Sequence, residues 1–200
     1  YNPAKKEVVM VENWKKLNTE ALADYRIFNI RQDTRRSPRT GNEHRFYVLE
    51  APDWINIIPI TPEGNVIFIH QFRHGTERIT LEVPGGMVDE TDDDPSAAAR
   101  RELLEETGYD AEQIIHIGSV EPNPAFLNNR CHSYLALNAR WRQTPQFDGA
   151  EDIVVEEIPL TAVSQLITSG KISHALVICA FYHLEHLQQQ QPELLNFISK

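Results

Sequence analysis

Residues 84–109 read PGGMVDETDDDPSAAARRELLEETGY. Eight acids fall in this stretch: Asp89, Glu90, Asp92, Asp93, Asp94, Glu102, Glu105 and Glu106. Only Arg100 and Arg101 oppose them, so the stretch carries −6 of the chain's formal −10. Its second half has the signals of a helix. Asp94 suits the N-cap, Pro95 the first helical position, and Gly108 the left-handed residue past the end. On such a helix Glu102, Glu105 and Glu106 stand at i, i+3 and i+4, so the three carboxylates share one face. Like charges at that spacing cost about 0.2–0.5 kcal/mol per pair in an isolated helix.

Two readings compete for that face. It is either a solvated acidic surface, or a site whose repulsion is offset by a hard cation that prefers oxygen ligands. The flanking sequence favours the second. Gly85-Gly86 follows a short apolar run ending Leu81-Glu82-Val83-Pro84, so a glycine turn leads from a strand towards the acidic helix. Glycines there allow the backbone to approach an ion or phosphate closely.

The stretch resembles the Nudix box, G-x5-E-x7-R-E-U-x-E-E-x-G-U, where U is apolar or aromatic. Arg101-Glu102-Leu103-Leu104-Glu105-Glu106-Thr107-Gly108-Tyr109 matches its second half at every specified position. In the first half the loop is one residue longer, since Gly86 lies fifteen residues before Arg101 where the motif has fourteen. Asp93 stands in place of the motif's Glu.

The chain of 200 residues is long enough for one compact domain with a small appended element. Hydrophobic content of 41% and charged content of 24% suit a globular protein rather than a disordered one. The longest apolar runs fall short of a membrane span, and no signal-peptide pattern is present, so no membrane partner is expected. Cys131 and Cys179 show no C-x-x-C spacing and need not pair, which favours a reducing compartment, the cytoplasm. A net charge of −10 argues against a nucleic-acid polymer as partner. The histidines form no metal-binding spacing.

Outside the box, strands are expected at 7–11, 25–33 and 43–50, with a turn-rich loop at 34–42. A hairpin is expected from 54–60 and 66–72 around Thr61-Pro62-Glu63-Gly64-Asn65. Further strands are read at 113–120, 131–137 and 153–158, with a loop at 123–129. Two helices close the chain. Thr161 and Gly170 are read as the ends of the first, and Ser173 as the cap of the second. Strands, helix, strands and helices in this order fit helices on both faces of a mixed sheet. The Nudix resemblance makes this an α/β fold, the α/β/α sandwich. Residues 1–50 are read as a small N-terminal antiparallel β extension and 51–200 as the Nudix hydrolase domain.

Val66 to Arg73 (VIFIHQFR), the LEVPGG that follows, and Pro124 sixteen residues after Gly108 are similar to the ADP-ribose pyrophosphatase branch. That branch has a β-rich N-terminal extension used for dimer formation, so a homodimer through residues 1–50 is expected. Its loop after the box usually reads Pro-Gly with an acid beyond. Here it is Pro124-Ala125 followed by Asn128-Asn129.

The resemblance implies the roles of single residues. Glu102 and Glu106 would be the main ligands of a divalent ion, Mg²⁺ or Mn²⁺. Glu105 would be shared or bound to a second ion, and Gly85 and Glu82 would be further ligands. Glu105 and Glu106 thus belong to the catalytic group. Arg101 would orient a carboxylate. Arg73, as a two-point phosphate clamp, and Phe126 are the expected substrate contacts. Glu151, with Asp152 beside it, lies where related pyrophosphatases place the general base.

The resulting reading is a metal-dependent pyrophosphohydrolase of a small nucleoside diphosphate compound. ADP-ribose, giving AMP and ribose 5-phosphate, is the first substrate. GDP-mannose, a UDP-sugar or a CDP-alcohol would be cleaved by the same chemistry. Two other classes remain open: a catalytically silent Nudix domain that binds a nucleotide and regulates a partner, and a structural protein with an acidic helix.

Overall fold

The structure is a computed structural model and describes residues 10–147, 149 and 152–194. Its elements in order are β1 (Lys15–Tyr25), β2 (Phe28–Arg36), β3 (Glu43–Glu50), β4 (Trp54–Ile60), β5 (Asn65–Arg73), β6 (Arg78–Glu82) and β7 (Gly85–Met87). Then come α1 (Pro95–Thr107), β8 (Tyr109–Asp110), β9 (Gln113–Val120), β10 (Cys131–Leu137), β11 (Arg140–Trp141) and β12 (Ile153–Pro159). A 3₁₀ turn at Leu160–Ala162 leads to α2 (Val163–Thr168), and α3 is Ala175–Gln190.

The chain forms two units. One comprises residues up to Ala51 together with Asn123–Asn128; the other comprises Pro52–Pro122 and the chain from Asn129 onward. In the first, β1, β2 and β3 make an antiparallel sheet. The 123–128 loop joins it through the Leu49 N–H, which donates to the Phe126 carbonyl at 2.8 Å.

The second unit is built on a mixed sheet ordered β12-β5-β4-β10-β9, with β10 parallel to β4 and the other neighbours antiparallel. Alternation divides its side chains between two cores. Ile55, Ile57, Ile67, Tyr134 and Ala136 pack with Ala98, Ala99 and Leu103 of α1. Ile58, Ile60, Val66, Phe68, Leu135 and Leu137 pack with Val177, Ala180, Phe181 and Leu184 of α3. Helices therefore cover both faces, the α/β/α arrangement expected from the box.

β4 and β5 are joined by the turn at 61–64, but they pair only at Ile60 and Val66. Beyond that they part. β6 continues on β5, and β7 pairs with β4 through Trp54–Met87, Ile55–Gly86 and Asn56–Gly85. The expected hairpin is thus a fork, and the strands leading to the box fill its opening.

Other expectations need correction. No strand forms at Met10 or Val11, which are exposed, and residues 7–9 lie outside the described residues. Among the described residues the first strand is β1, whose residues are exposed on both sides apart from Ala23, so no period of two marks it in the sequence. Tyr25 ends β1 instead of opening the next strand, and Arg26 turns the chain with φ of 44°. β2 runs through Thr34–Arg36, residues read as loop, because they pair with Glu43–Arg45. Neither Thr161 nor Ser173 caps a helix. The residue at the cap of α3 is His174, with no side-chain hydrogen bond to the helix.

Candidate active site

The start of α1 forms as its residues dictate. The Asp94 carboxylate accepts from the Ser96 and Ala97 N–H groups at 2.7 and 2.9 Å. Pro95 sits in the first turn, and Gly108 closes the helix at φ 74° with its N–H on the Leu104 carbonyl. Between these ends the Glu102 and Glu106 carboxylates reach β7. Glu106 is 2% exposed and Glu102 9%, whereas the Glu105 side chain is 44% exposed.

The β7 backbone meets two of them directly. The Gly85 N–H donates to Glu106 Oε2 at 2.9 Å. A side chain on Gly86 would put its Cβ 2.2 Å from Glu102 Oε1, so glycine is what admits that carboxylate.

Arg101 takes the orienting role expected of it. Its Nη1 donates to Glu102 Oε1 at 2.9 Å and Glu105 Oε2 at 3.2 Å. Its Nε and Nη2 hold the Asp92 carboxylate at 3.1 and 2.9 Å, and Nη2 also reaches the Met87 carbonyl. Hydrogen bonds from Arg101 hold the Asp92 carboxyl below its ordinary range against the opposing effect of burial. Arg101 therefore offsets part of the repulsion between the box acids and ties the acidic loop to the helix. Asp92 as its anchor was not singled out in the sequence, where one Asp among several carries no distinguishing signal.

Arg73 and Glu82 form a second constellation. Arg73 Nε and Nη2 donate to the two oxygens of Glu82 at 2.9 and 2.8 Å. Thr80 donates its hydroxyl to Glu82 Oε1, and His174 Nδ1 stands 3.8 Å from Glu82 Oε2. Burial alone would raise the Glu82 carboxyl, but the bonds from Arg73 and Thr80 outweigh it and hold the pKa below the ordinary value. The two-point geometry expected of Arg73 on phosphate is spent on this carboxylate. Thr80 and His174 were missed; His174 is 92 residues from Glu82, and no local pattern links them.

Phe126 lies in the first unit, 42% exposed. Glu151 lies outside the described residues, and Asp152 is an exposed residue preceding β12.

Among the described residues, no three His, Cys, Asp or Glu side chains stand as a ready-made ion-binding group. The donor set nevertheless fits a hard cation. Its donors are carboxylate oxygens, two of them on nearly buried residues, and a glycine backbone leaves room beside them. A cavity of about 1160 Å³ begins at this backbone, at Gly85, Gly86 and Met87, and includes Asn56, Arg73 and the start of α3 in its wall.

Comparison with known proteins agrees with this architecture. The NUDIX domain family model matches residues 51–181. A methanol dehydrogenase activator of Bacillus methanolicus is 27% identical over 172 residues, 86% of this chain and 92% of that protein. An ADP-ribose pyrophosphatase of Bacillus subtilis (strain 168) is 30% identical over 155 residues, 76% of this chain and 83% of that protein. The crystal structure of an ADP compounds hydrolase superposes with a TM-score of 0.80 at 20% identity, covering 91% of this chain and 97% of that one. The chain belongs to the Nudix family, and the enzyme class its box defines is that of the Nudix hydrolases.

Proposed function

We propose that this protein hydrolyses the pyrophosphate bond of a nucleoside diphosphate joined to a second group, with ADP-ribose as substrate and AMP and ribose 5-phosphate as products. The observation that carries the reading is the meeting of Glu102 and Glu106 with the Gly85–Gly86 backbone, which itself lines a cavity. The ADP-ribose pyrophosphatase of Bacillus subtilis, 30% identical, supports the substrate.

Glu102, Glu105 and Glu106, with the Gly85 backbone, would hold Mg²⁺ or Mn²⁺. Such an ion neutralises pyrophosphate charge and acts as a Lewis acid on its phosphoryl oxygens. Arg101 aims Glu102 and Glu105, and Asp92 fixes Arg101. Arg73 acts through Glu82, keeping that carboxylate ionised beside the site. Phe126 is kept as a substrate contact. Glu151 is the proposed general base, with Asp152 and then Glu105 behind it in order. The functional form is proposed to be a homodimer joined through the N-terminal β extension.

The test is a panel of ADP-ribose, GDP-mannose, UDP-sugars and CDP-alcohols incubated with Mg²⁺, each product identified by mass. ADP-ribose is expected to give AMP. Cleavage of another compound in preference to ADP-ribose overturns the substrate, and cleavage of none overturns the reading.

A further inference from the structure

α3 is a sixteen-residue helix that begins without a side-chain cap. The first N–H groups of a helix have no partner within it and carry partial positive charge, which favours an anion. His174, Ala175 and Leu176 at this end lie in the wall of the cavity that starts at Gly85–Met87. A bare helix start is common, and an independent feature of the same cavity gives this one meaning.

That feature is Asn56. It is 8% exposed, and its Nδ2 is buried with no hydrogen-bond partner. A buried amide donor left unpaired costs free energy, so a partner from outside the chain is the physical expectation. Asn56 alternates with Ile55 and Ile57, which pack on α1, so it projects to the α3 side of the sheet, and it too lines the cavity.

The charges of this cavity point the same way. Its acid Glu156 is paired with His70, and Arg73 is paired with Glu82. Lys171 and Arg78, also in the wall, form no ion pair among the described residues. Among the described residues, two cations of the wall are thus without an ion pair, and its one acid, Glu156, shares a hydrogen bond with the ring of His70.

We propose that the start of α3, Lys171 and the Asn56 amide form a phosphate site that holds the non-nucleotide half of the substrate, and hence the sugar phosphate product. This rests on the hydrolase reading and adds which half of the substrate enters the cavity. Around Lys171 the wall is made by Gly170 and Ser173, small residues suited to a sugar. Trp54, the ring on which a base could stack, lies on β4 opposite Met87.

The experiment measures equilibrium binding of ribose 5-phosphate, inorganic phosphate and AMP by calorimetry, to the parent chain and to Lys171→Gln and Asn56→Leu. Ribose 5-phosphate is expected to bind the parent, and each substitution to weaken it about tenfold, the scale of one hydrogen bond to a charged group. AMP affinity should change less than about threefold, under half of that effect in free energy. Asn56→Leu removes an unpaired buried donor, so its Tm without ligand should equal or exceed the parent's, which separates lost binding from lost folding. Amide NMR shifts of Ala175 and Leu176 on adding ribose 5-phosphate locate the site.

Three results overturn the proposal: no binding of ribose 5-phosphate to the parent, equal binding by the variants, or loss of AMP binding instead. Because no turnover is measured, its failure is distinct from failure of the hydrolase reading. Hydrolysis of ADP-ribose with unchanged ribose 5-phosphate binding in both variants removes this inference alone. Binding lost in both variants of a protein that cleaves no compound of the panel removes the hydrolase reading and, with it, the assignment of the site to one half of a substrate.

Discussion

Arg73 and Glu82 face each other as a two-point ion pair, nitrogen to oxygen 2.9 and 2.8 Å, with the carboxylate side chain 2% exposed and the guanidinium side chain 41% exposed. β5 and β6 place them, since Arg73 lies opposite Arg78 and Glu82 opposite Ile69 across one antiparallel ladder. A carboxylate so deeply placed stays charged because Arg73 and Thr80 bond to it. Arg73→Met leaves that charge without its main partner and is expected to cost about 2–4 kcal/mol, near the range for breaking a buried pair. The double variant Arg73→Met with Glu82→Leu should regain most of that stability. Urea midpoints of the three proteins check this; a single variant as stable as the parent shows that the buried pair adds nothing to stability.

Gly85 and Gly86 are expected to fail in different ways. A Cβ at residue 85 would meet the Ile55 carbonyl at 2.4 Å, a backbone atom that cannot turn aside. Gly85→Ala should lower stability by about 1–3 kcal/mol. At residue 86 the obstacle is the Glu102 carboxylate, the end of a flexible side chain. Gly86→Ala should keep its Tm nearly unchanged while turnover drops by about tenfold or more, about 1.4 kcal/mol in barrier. Thermal melts and initial rates measured side by side decide it, and the reverse pattern would remove Glu102 from the working site.

Divalent metal should stabilise the chain, and Glu106 should carry the response. At a hundredfold excess over Kd the linkage gives about 2.7 kcal/mol, if the unfolded chain binds nothing. For a chain of this size that is a rise of roughly 5–10 °C in Tm. Glu106→Gln can still accept the Gly85 N–H through its amide oxygen but loses the ligand charge. It should fold, show little of the rise, and turn over more than about tenfold slower. A parent chain whose Tm ignores both Mg²⁺ and Mn²⁺ at several millimolar contradicts the metal assignment.

Much of this site was legible because its signals are local. Asp94, Pro95 and Gly108 bound α1 within a few residues of one another, and the i, i+3, i+4 spacing sets its acidic face. β3, β4, β9 and β10 run over the residues expected of them, each a clear alternating or apolar run. What stayed hidden depends on contacts between distant residues. Nothing in VIFIHQFR announces that Glu82, nine residues on, takes the two-point contact of Arg73. His174 stands near Glu82 only because the fold brings the start of α3 to the end of β6. Asn56 is a polar residue in the apolar run INIIPI, and nothing local marks it as lining a cavity.

Acid should loosen the N-terminal sheet through Asp33. This residue is fully buried between Thr19, Arg31 and Arg35. Burial would raise its pKa, but the hydrogen bonds from Thr19, Arg35 and Arg31 prevail and hold it below the ordinary 3.8. With the folded value depressed, the stabilisation is complete above the ordinary pKa and fades as pH falls through it towards the folded value. Amide protection factors in β2, corrected for intrinsic exchange, should therefore fall between pH 5 and pH 3. In Asp33→Asn they should be lower at pH 5 and nearly flat over that interval. Equal acid sensitivity in both proteins assigns the effect to other carboxylates.

The final expectation concerns what covers β1, β2 and β3. Among the described residues up to Glu50, no apolar side chain is buried; the buried ones are Asp33 and Ser37. Leu22, Tyr25, Phe46 and Tyr47 are 46, 56, 40 and 56% exposed, and Trp14 packs edge-on against Phe46 in the open. Three strands need an apolar face packed on something to be stable in water. Apolar side chains stand exposed on both faces of the sheet, since Phe46 and Tyr47 are neighbours on β3, and such exposure marks an association site. The expected partner is a second copy of the chain, so light scattering at micromolar concentration should give about 46 kDa, twice the 22.9 kDa of one chain. Leu22→Lys combined with Phe46→Lys places charges among these exposed apolar side chains. It should give a monomer whose sheet loses protection in hydrogen exchange. A parent chain that is monomeric at all concentrations up to about 100 μM, with a Kd for association therefore weaker than roughly −5.5 kcal/mol would give, shows that the sheet stands without a second copy.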